Sequence, residues 1–305
     1  MIYDTIIIGG GPSGLSSAIY SSRARLNTLI IEKAGCGGLI AMTDFLENYP
    51  GFEVGINGFE LTSKMEQQAR NFGTEIVYGE VLSIETQETL KKVILADKTY
   101  ITKTIIIASG SNFKKLGIKG EAEFIGKGVS YCATCDGPFF KNKDVAVIGG
   151  GDSALQEALF LTKFVNKVFL IHRRDKFRAT QILQERVLSE PKIEVVLDCI
   201  VEEIEGNNMI EKVKIKNVKS NTLKEIAVNG VFIFIGWIPN TKFLTQNKIT
   251  LDENGYIITD DKMKTSLDGI FACGDVRKKI LRQVVTATGD GATASISAQN
   301  YIESN

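Results

Sequence analysis

Residues 4–14 read Asp4-Thr5-Ile6-Ile7-Ile8-Gly9-Gly10-Gly11-Pro12-Ser13-Gly14, an apolar run that closes on three glycines. A short β-branched run of this kind suits a strand buried on both faces of a parallel sheet. With the helix-like stretch 13–24 behind it, the segment has the strand–turn–helix form of a dinucleotide-binding loop. One glycine fingerprint alone is a weak signal. The pattern returns 140 residues later as Asp144-Val145-Ala146-Val147-Ile148-Gly149-Gly150-Gly151-Asp152-Ser153-Ala154. The copies stay in register through Ala18 and Ala158 to Ile31 and Ile171, where Glu32 stands opposite His172. Two copies, each placed strand–turn–helix–strand, predict two related nucleotide-binding units.

The rest of the chain extends this reading. Apolar runs at 28–31, 104–108, 168–171 and 231–235 predict further strands, and 58–72, 153–164 and 180–188 predict helices. The alternation is that of an α/β fold. Each half also ends alike: 104–108 leads to Gly110, and 231–235 leads to Gly236. The 305 residues suit two domains, and Lys+Arg and Asp+Glu balance at 36 each. That zero formal charge gives no global argument for nucleic acid or a membrane. The apolar runs are far too short to span a bilayer. Met1-Ile2-Tyr3-Asp4 shows neither a basic leader nor a cleavage pattern, so the expected location is cytoplasmic.

In each copy the first glycine, Gly9 or Gly149, permits the tight turn. The second, Gly11 or Gly151, lets backbone approach a pyrophosphate. The third small residue, Gly14 or Ala154, lets helix pack on strand. Gly10, Pro12 and Ser13, and likewise Gly150, Asp152 and Ser153, complete loops whose helix N-termini favour phosphate. The end of the second strand separates the ligands. Glu32, 23 residues after Gly9, can accept from ribose hydroxyls and repels a 2′-phosphate, which suits FAD or NAD. The second copy has His172-Arg173-Arg174, with Arg178 four residues beyond. Guanidiniums there favour a 2′-phosphate, so this site is expected to take NADPH over NADH. The plainer alternative is a solvated basic turn. His172 is the only histidine, which excludes sites needing several; a lone histidine is usually structural, but its place in the basic turn predicts a contact with the NADPH nucleotide.

Five cysteines occur: Cys36, Cys132, Cys135, Cys199 and Cys273. The odd number and scattered singles argue against a secreted disulfide scaffold. Cys132-Ala133-Thr134-Cys135-Asp136 is the one Cys-x-x-Cys. Cysteines three apart at a helix start can close a short disulfide and favour the thiolate that exchange needs. Asp136 is placed to serve as acid or base. A zinc half-site and two inert thiols are the alternatives, but zinc needs a second ligand pair that the chain lacks. The other three cysteines read as small apolar fillers.

Taken together, these segments resemble the low-molecular-weight bacterial thioredoxin reductases over essentially the whole chain. The resemblance is carried by 9–14, Glu47-Asn48-Tyr49-Pro50-Gly51, 132–136, 149–154, 172–178, Gly274-Asp275-Val276, Arg282-Gln283-Val284 and Gly289-Asp290-Gly291. It implies two Rossmann-like domains, a discontinuous FAD domain (1–113 and 242–305) and an inserted NADPH domain (114–241). It implies FAD contacts from Gly37, Gly38, Leu39, Asn48, Val81, Ala108, Gly110, Gly274, Asp275, Arg282, Gln283 and Val284, with Asp275 near the ribitol. Ile235 and Gly236 join the NADPH contacts. Cys135 would face the flavin, Cys132 would attack the partner disulfide, and Asp136 would be the acid. The partner would be thioredoxin or a small acidic protein of its type, met by Lys127 and an exposed Phe139, and the enzyme a homodimer. The plainer alternatives are a solvated Lys127 and a core Phe139. Leu39 replaces the family's usual Gln, Ser109 its commoner Thr, and Trp237 a smaller or polar residue.

Both the cysteine pair and the NADPH site fall in the inserted domain, which predicts its rotation about hinges near 112–115 and 239–242. Three relatives compete with the main reading. A peroxiredoxin-directed reductase would carry an extra N-terminal redox domain, whereas Gly9 comes almost at once. A ferredoxin-linked reductase or a dithiol oxidase would lack the second fingerprint. A non-catalytic, redox-sensing flavoprotein would not need Cys132 and Cys135 beside it.

Overall fold

The computed structural model describes residues 1–43, 46–87, 89–245 and 248–304. The chain divides into two compact units, Met1–Asn112 with Ile238–Asn305, and Phe113–Trp237 between them. In chain order the elements begin with β1 (Ile2–Ile8), α1 (Pro12–Arg23), β2 (Thr28–Glu32), α2 (Gly58–Asn71) and β3 (Glu75–Tyr78). β4 (Ser83–Gln87), β5 (Leu90–Ile94), β6 (Thr99–Ile107), β7 (Ser111–Phe113), β8 (Val129–Ser130) and the single turn α3 (Ala133–Asp136) follow. Next come β9 (Asp144–Gly149), α4 (Asp152–Leu161), β10 (Lys167–Ile171), α5 (Gln181–Ser189) and β11 (Ile193–Val196). The last are β12 (Cys199–Gly206), β13 (Ile210–Asn217), β14 (Leu223–Ala227), β15 (Gly230–Phe234), β16 (Trp237–Pro239), β17 (Ile270–Ala272) and α6 (Val284–Ser304).

The discontinuous unit is built on parallel strands in the order β3-β2-β1-β6, with β17 beside the second half of β6. The first half of β6 pairs antiparallel with β5, which pairs with β4. The apolar run at the N-terminus is buried on both faces, as such a sheet requires. Ile7, Ile30 and Ile106 face the side that Leu15 of α1, Leu61 of α2 and Ala294 of α6 also fill. Ile6, Ile8, Leu29, Ile31, Ile105 and Ile107 face the other side with Ile84, Val93 and Tyr100. Gly291 lets α6 lie close on α1, since a Cβ there would overlap the Ser13 carbonyl oxygen.

The inserted unit has a second parallel sheet, β11-β10-β9-β15-β8. Val145, Val147, Val168, Leu170 and Phe232 point toward Leu155 of α4 and Leu183 of α5. Ala146, Ile148, Val231 and Ile233 face an antiparallel meander of β12, β13 and β14. The two units therefore repeat one strand order, and the expected α/β class with two Rossmann-like folds is what the chain adopts. No helix among the described residues is long and apolar enough to cross a membrane.

Candidate active site

In the discontinuous unit the glycine loop follows β1 directly. Gly9 has φ 107°, and a Cβ there would overlap the Ala108 carbonyl oxygen, so only glycine passes. Gly14 is held for the same reason by the carbonyl oxygen of Gly9. Gly11, by contrast, has nothing within 4 Å of its Cβ direction. Pro12 opens α1, where its missing N–H costs nothing. Ser13 is buried against Gly274, which takes φ 75°. The Gly10 amide donates to Glu32 Oε2 at 2.6 Å, and the Ala34 amide donates to Oε1 at 3.0 Å. The Gly37 amide donates to the Gly10 carbonyl at 2.8 Å, and Gly38 lies against Gly11. Leu39 follows, half-buried in a 3₁₀ turn, Gly38–Met42.

The C-terminal segments return to the same loop. Asn48 Nδ2 donates to Gln283 Oε1 at 3.1 Å. Val284 is buried at the start of α6. Gly110 takes φ 63° just beyond Ala108. Val81 packs on the sheet face that also holds Ile8 and Ile31. Buried side-chain atoms without a partner, among the described residues, are Asp275 Oδ1, Arg282 Nε, Thr5 Oγ1 and Ser17 Oγ. Burial, above all, pushes the Asp275 carboxyl up, with the cations Lys279 and Arg282 opposing. The Arg282 guanidinium lies 4.0 Å from the Tyr256 ring centre. Asp290, in the middle of Gly289-Asp290-Gly291, shows no role by its spacing alone. This buried carboxylate accepts from the Gly274 amide at 3.1 Å, Arg277 Nη1 at 3.1 Å and Lys279 Nζ at 2.8 Å. It ties the Gly274-Asp275 turn to α6.

In the inserted unit Gly149 takes φ 155°, and Gly151 precedes α4 with nothing within 4 Å of its Cβ direction. Ser153 stands in the first turn of that helix and Ala154 is fully buried. Asp152 Oδ1 accepts from the Thr180 amide at 2.7 Å, and the Arg178 amide donates to the Gly150 carbonyl at 2.7 Å. The loop after β10 is thereby tied to the glycine loop. Arg173, Arg174 and Arg178 are exposed, and none has an ion-pair partner among the described residues. His172 is buried instead. Its ring lies against Gly150 and Phe177, and Nε2 is 3.1 Å from the Lys176 carbonyl. Burial first, then the three arginines, lower its pKa. Its ring supports the loop, and the arginines carry the outward charge. Ile235 is half-buried and Gly236 exposed at the end of β15.

Cys132 and Cys135 are joined by a disulfide with Cα atoms 5.4 Å apart. The predicted helix start is one turn long, so a helix dipole adds little there. The local donor is the Cys135 amide, 3.1 Å from Cys132 Sγ. Cys135 is exposed, whereas Cys132 and Asp136 are half-buried. Phe139 is 75% exposed, which excludes a core role, and Lys127 is exposed. No group of three or more metal-ligating side chains occurs among the described residues. Cys199 and Cys273 are buried and free, and Cys36 is half-buried. Burial pushes the Cys36 and Cys273 thiols up to about 12, which fits filler rather than nucleophile.

A family model described as pyridine nucleotide-disulphide oxidoreductase matches residues 3–291. The chain is 48% identical over 303 residues to a thioredoxin reductase from Listeria innocua, covering 99% of this chain and 94% of the relative. It is also 48% identical to a thioredoxin reductase from Bacillus subtilis, covering 99% and 95%. Among solved structures it matches the Lactococcus lactis thioredoxin reductase in its FR conformation with a TM-score of 0.97. The identity there is 47%, over 99% of this chain and 100% of that one.

Proposed function

The chain belongs to the thioredoxin reductases of the pyridine nucleotide-disulphide oxidoreductase family, and on that footing we propose that it carries electrons from NADPH, through FAD and the Cys132–Cys135 disulfide, to a thioredoxin-type protein. The reading is carried by one observation: a disulfide three residues wide, with Cys135 exposed, in the unit that also bears the arginine-rimmed glycine loop.

The residues of the discontinuous unit fit FAD. Gly11 leaves room for a pyrophosphate, and Glu32 is positioned by two backbone amides where a ribose would lie. Asp275 Oδ1 and Arg282 Nε are buried polar atoms in want of partners, which a polar cofactor would supply. Asn48 and Gln283 orient each other beside them. When bound, FAD supplies the relay between a hydride donor and a dithiol. In the inserted unit Gly151 and the α4 N-terminus suit the pyrophosphate of NADPH, and Arg173, Arg174 and Arg178 its 2′-phosphate.

Once the pair is reduced, the Cys132 thiolate attacks one sulfur of the partner's disulfide. A Cys132–partner disulfide forms, and the partner's other sulfur leaves as a thiolate. Cys135 then attacks Cys132 Sγ, remaking the intramolecular disulfide and releasing the partner's second sulfur. Asp136 is the group nearest in sequence to give and take the protons. Lys127 and Phe139 are exposed for docking an acidic, apolar-faced partner. The same footing supports a homodimer.

The test is NADPH-dependent reduction of thioredoxin by the flavin-loaded protein, run against NADH and against Cys132→Ser. Wild type should reduce thioredoxin with NADPH preferred, and Cys132→Ser should not, while NADPH still reduces its flavin. A protein purified without flavin, or a serine variant with full activity, sinks the proposal.

A further inference from the structure

Tyr131 stands immediately before Cys132, and both ends of its side chain are held. Its hydroxyl donates to Glu121 Oε1 at 2.6 Å. Glu121 is only 3% exposed and has no ion-pair partner among the described residues. It accepts instead from the Leu116 amide at 2.9 Å and the Gly117 amide at 2.6 Å. A carboxylate satisfied by two amides and one phenol in a buried place is a fixed anchor, because losing any donor leaves an acceptor unpaired. Burial, and then Glu121, push the Tyr131 phenol well above its ordinary range, so it stays a donor at any working pH.

The ring of Tyr131 is held as well. It stacks on Phe113 at 5.8 Å and 27°. Phe113 in turn meets Trp237 at 5.0 Å and 35°. Offset aromatic pairs at such separations prefer one mutual geometry and resist sliding. Trp237, which stands where the family has a smaller or polar residue, is thus the outer member of a cluster of three rings. On the far side of Tyr131, the Ser130 hydroxyl accepts from the Cys132 amide at 3.0 Å and donates to the Cys132 carbonyl at 3.1 Å. The backbone entering the cysteine pair is therefore fixed by a carboxylate, a ring stack and a serine.

We propose that Tyr131, clamped between Glu121 and the Phe113–Trp237 pair, is a positioning residue that holds Cys132 for attack on the partner disulfide. This rests on the reading of Cys132 and Cys135 as the redox-active pair. Cys132 must reach an incoming sulfur in line with the bond that breaks, and small misplacements of a reacting atom are costly. Tyr131 touches neither substrate nor cofactor in this account and acts only through its neighbour.

The experiment compares Tyr131→Ala, Tyr131→Phe and Glu121→Gln with wild type, all flavin-loaded. Two rates are followed: flavin reduction by NADPH, and reduction of thioredoxin by the NADPH-reduced enzyme. Tyr131→Ala should slow the second about tenfold and leave the first within about twofold. Tyr131→Phe, which keeps the ring, should recover most of the loss, and Glu121→Gln should fall between. Trp237 is the only tryptophan, so its emission should change in Tyr131→Ala and hold in Tyr131→Phe. If Tyr131→Ala does not fold, the other two variants carry the same comparison of rates. Equal slowing of both rates overturns the proposal, as does unchanged thioredoxin reduction in every variant. A Cys132→Ser variant as fast as wild type sinks the reading of the pair and this proposal with it. An inactive Cys132→Ser beside a fully active Tyr131→Ala sinks this proposal alone.

Discussion

Glu32 and His172 stand at matching places in the two units, each beside the glycine loop it supports, and they do opposite things there. The Glu32 carboxylate accepts from the Gly10 amide at 2.6 Å and keeps negative charge at the loop. The His172 ring, with its pKa lowered chiefly by burial, packs neutral against Gly150. Positive charge in the second unit comes only afterward, from the exposed Arg173, Arg174 and Arg178.

Nucleotide choice should therefore follow the arginines and not the histidine. Charge-assisted bonds to a phosphate contribute about 1.5–3 kcal/mol each. Arg173→Ser with Arg174→Ser should raise KM for NADPH by about one to two orders of magnitude and change KM for NADH only slightly. Added salt should weaken NADPH binding in wild type more than in the double variant. Steady-state kinetics with both nucleotides at two ionic strengths checks this. A double variant that still prefers NADPH as wild type does would contradict it.

Asp275 carries a second prediction, in which stability and cofactor retention move in opposite directions. Its carboxyl is raised by burial, so the folded apoprotein holds the proton more tightly than the unfolded chain. For a group raised in the folded state, the favourable contribution is present below the unfolded pKa of about 3.9 and is lost as pH rises through the folded value. Charging this carboxyl therefore costs stability in the folded apoprotein, where its Oδ1 has no partner among the described residues. Asp275→Asn should stabilise the flavin-free protein at pH 7 by about 1 kcal/mol, and the gain should vanish as pH falls toward 4. The same variant should release flavin more readily. Urea unfolding of stripped protein across pH, with flavin absorbance after gel filtration, reads both.

The third concerns the two loops' one difference in small residues. A Cβ at Gly14 would overlap the carbonyl oxygen of Gly9, whose amide is fixed on the Ile31 carbonyl at 2.9 Å. Gly14→Ala should cost about 2 kcal/mol and lower flavin occupancy. Ala154 already carries its Cβ, fully buried beside Gly149. Ala154→Gly should cost only about 1 kcal/mol, the ordinary penalty of glycine in a helix. Thermal unfolding of the two variants gives the contrast, and equal losses would refute it.

The repeat in register was enough to read β1, β2, β9 and β10, and separate apolar runs gave most of β6 and of β15, because strands buried on both faces are written as continuous apolar runs. The meander β12–β14 was not legible. Its outer face alternates charges, Lys212 and Lys214 pairing with Glu205, Glu203 and Glu225, which in a sequence resembles solvated loop. Helix α6 was missed for another reason. Its Ala, Ser, Thr and Gly residues pack backbone against α1 and leave no apolar stripe to count. At the site, Glu32 and Cys132 announce themselves by spacing. Glu121 and Asp290 do not, since a buried carboxylate and an exposed one are the same letter, and only the amides around them differ.

The division of labour between the cysteines gives the last prediction. If Cys132 is the sulfur that attacks the partner, Cys135→Ser leaves that thiolate intact and removes the enzyme's own sulfur that would displace it, so a partner lacking its second active-site cysteine stays attached. The Cys135 side chain is three residues away, and its amide alone already points at Cys132 Sγ. A serine hydroxyl there is not a competent nucleophile toward a disulfide at neutral pH. Reduced Cys135→Ser should therefore form a lasting 1:1 mixed disulfide with a single-cysteine thioredoxin activated as its thionitrobenzoate disulfide, thionitrobenzoate leaving as the free thiolate, while Cys132→Ser should form far less, because only Cys135 is then left to attack. Non-reducing electrophoresis, with the adduct collapsing on added dithiothreitol, reads the result. Should Cys132→Ser trap the partner and Cys135→Ser fail to, the two roles are exchanged: Cys135, the more exposed sulfur, would be the one that meets the partner.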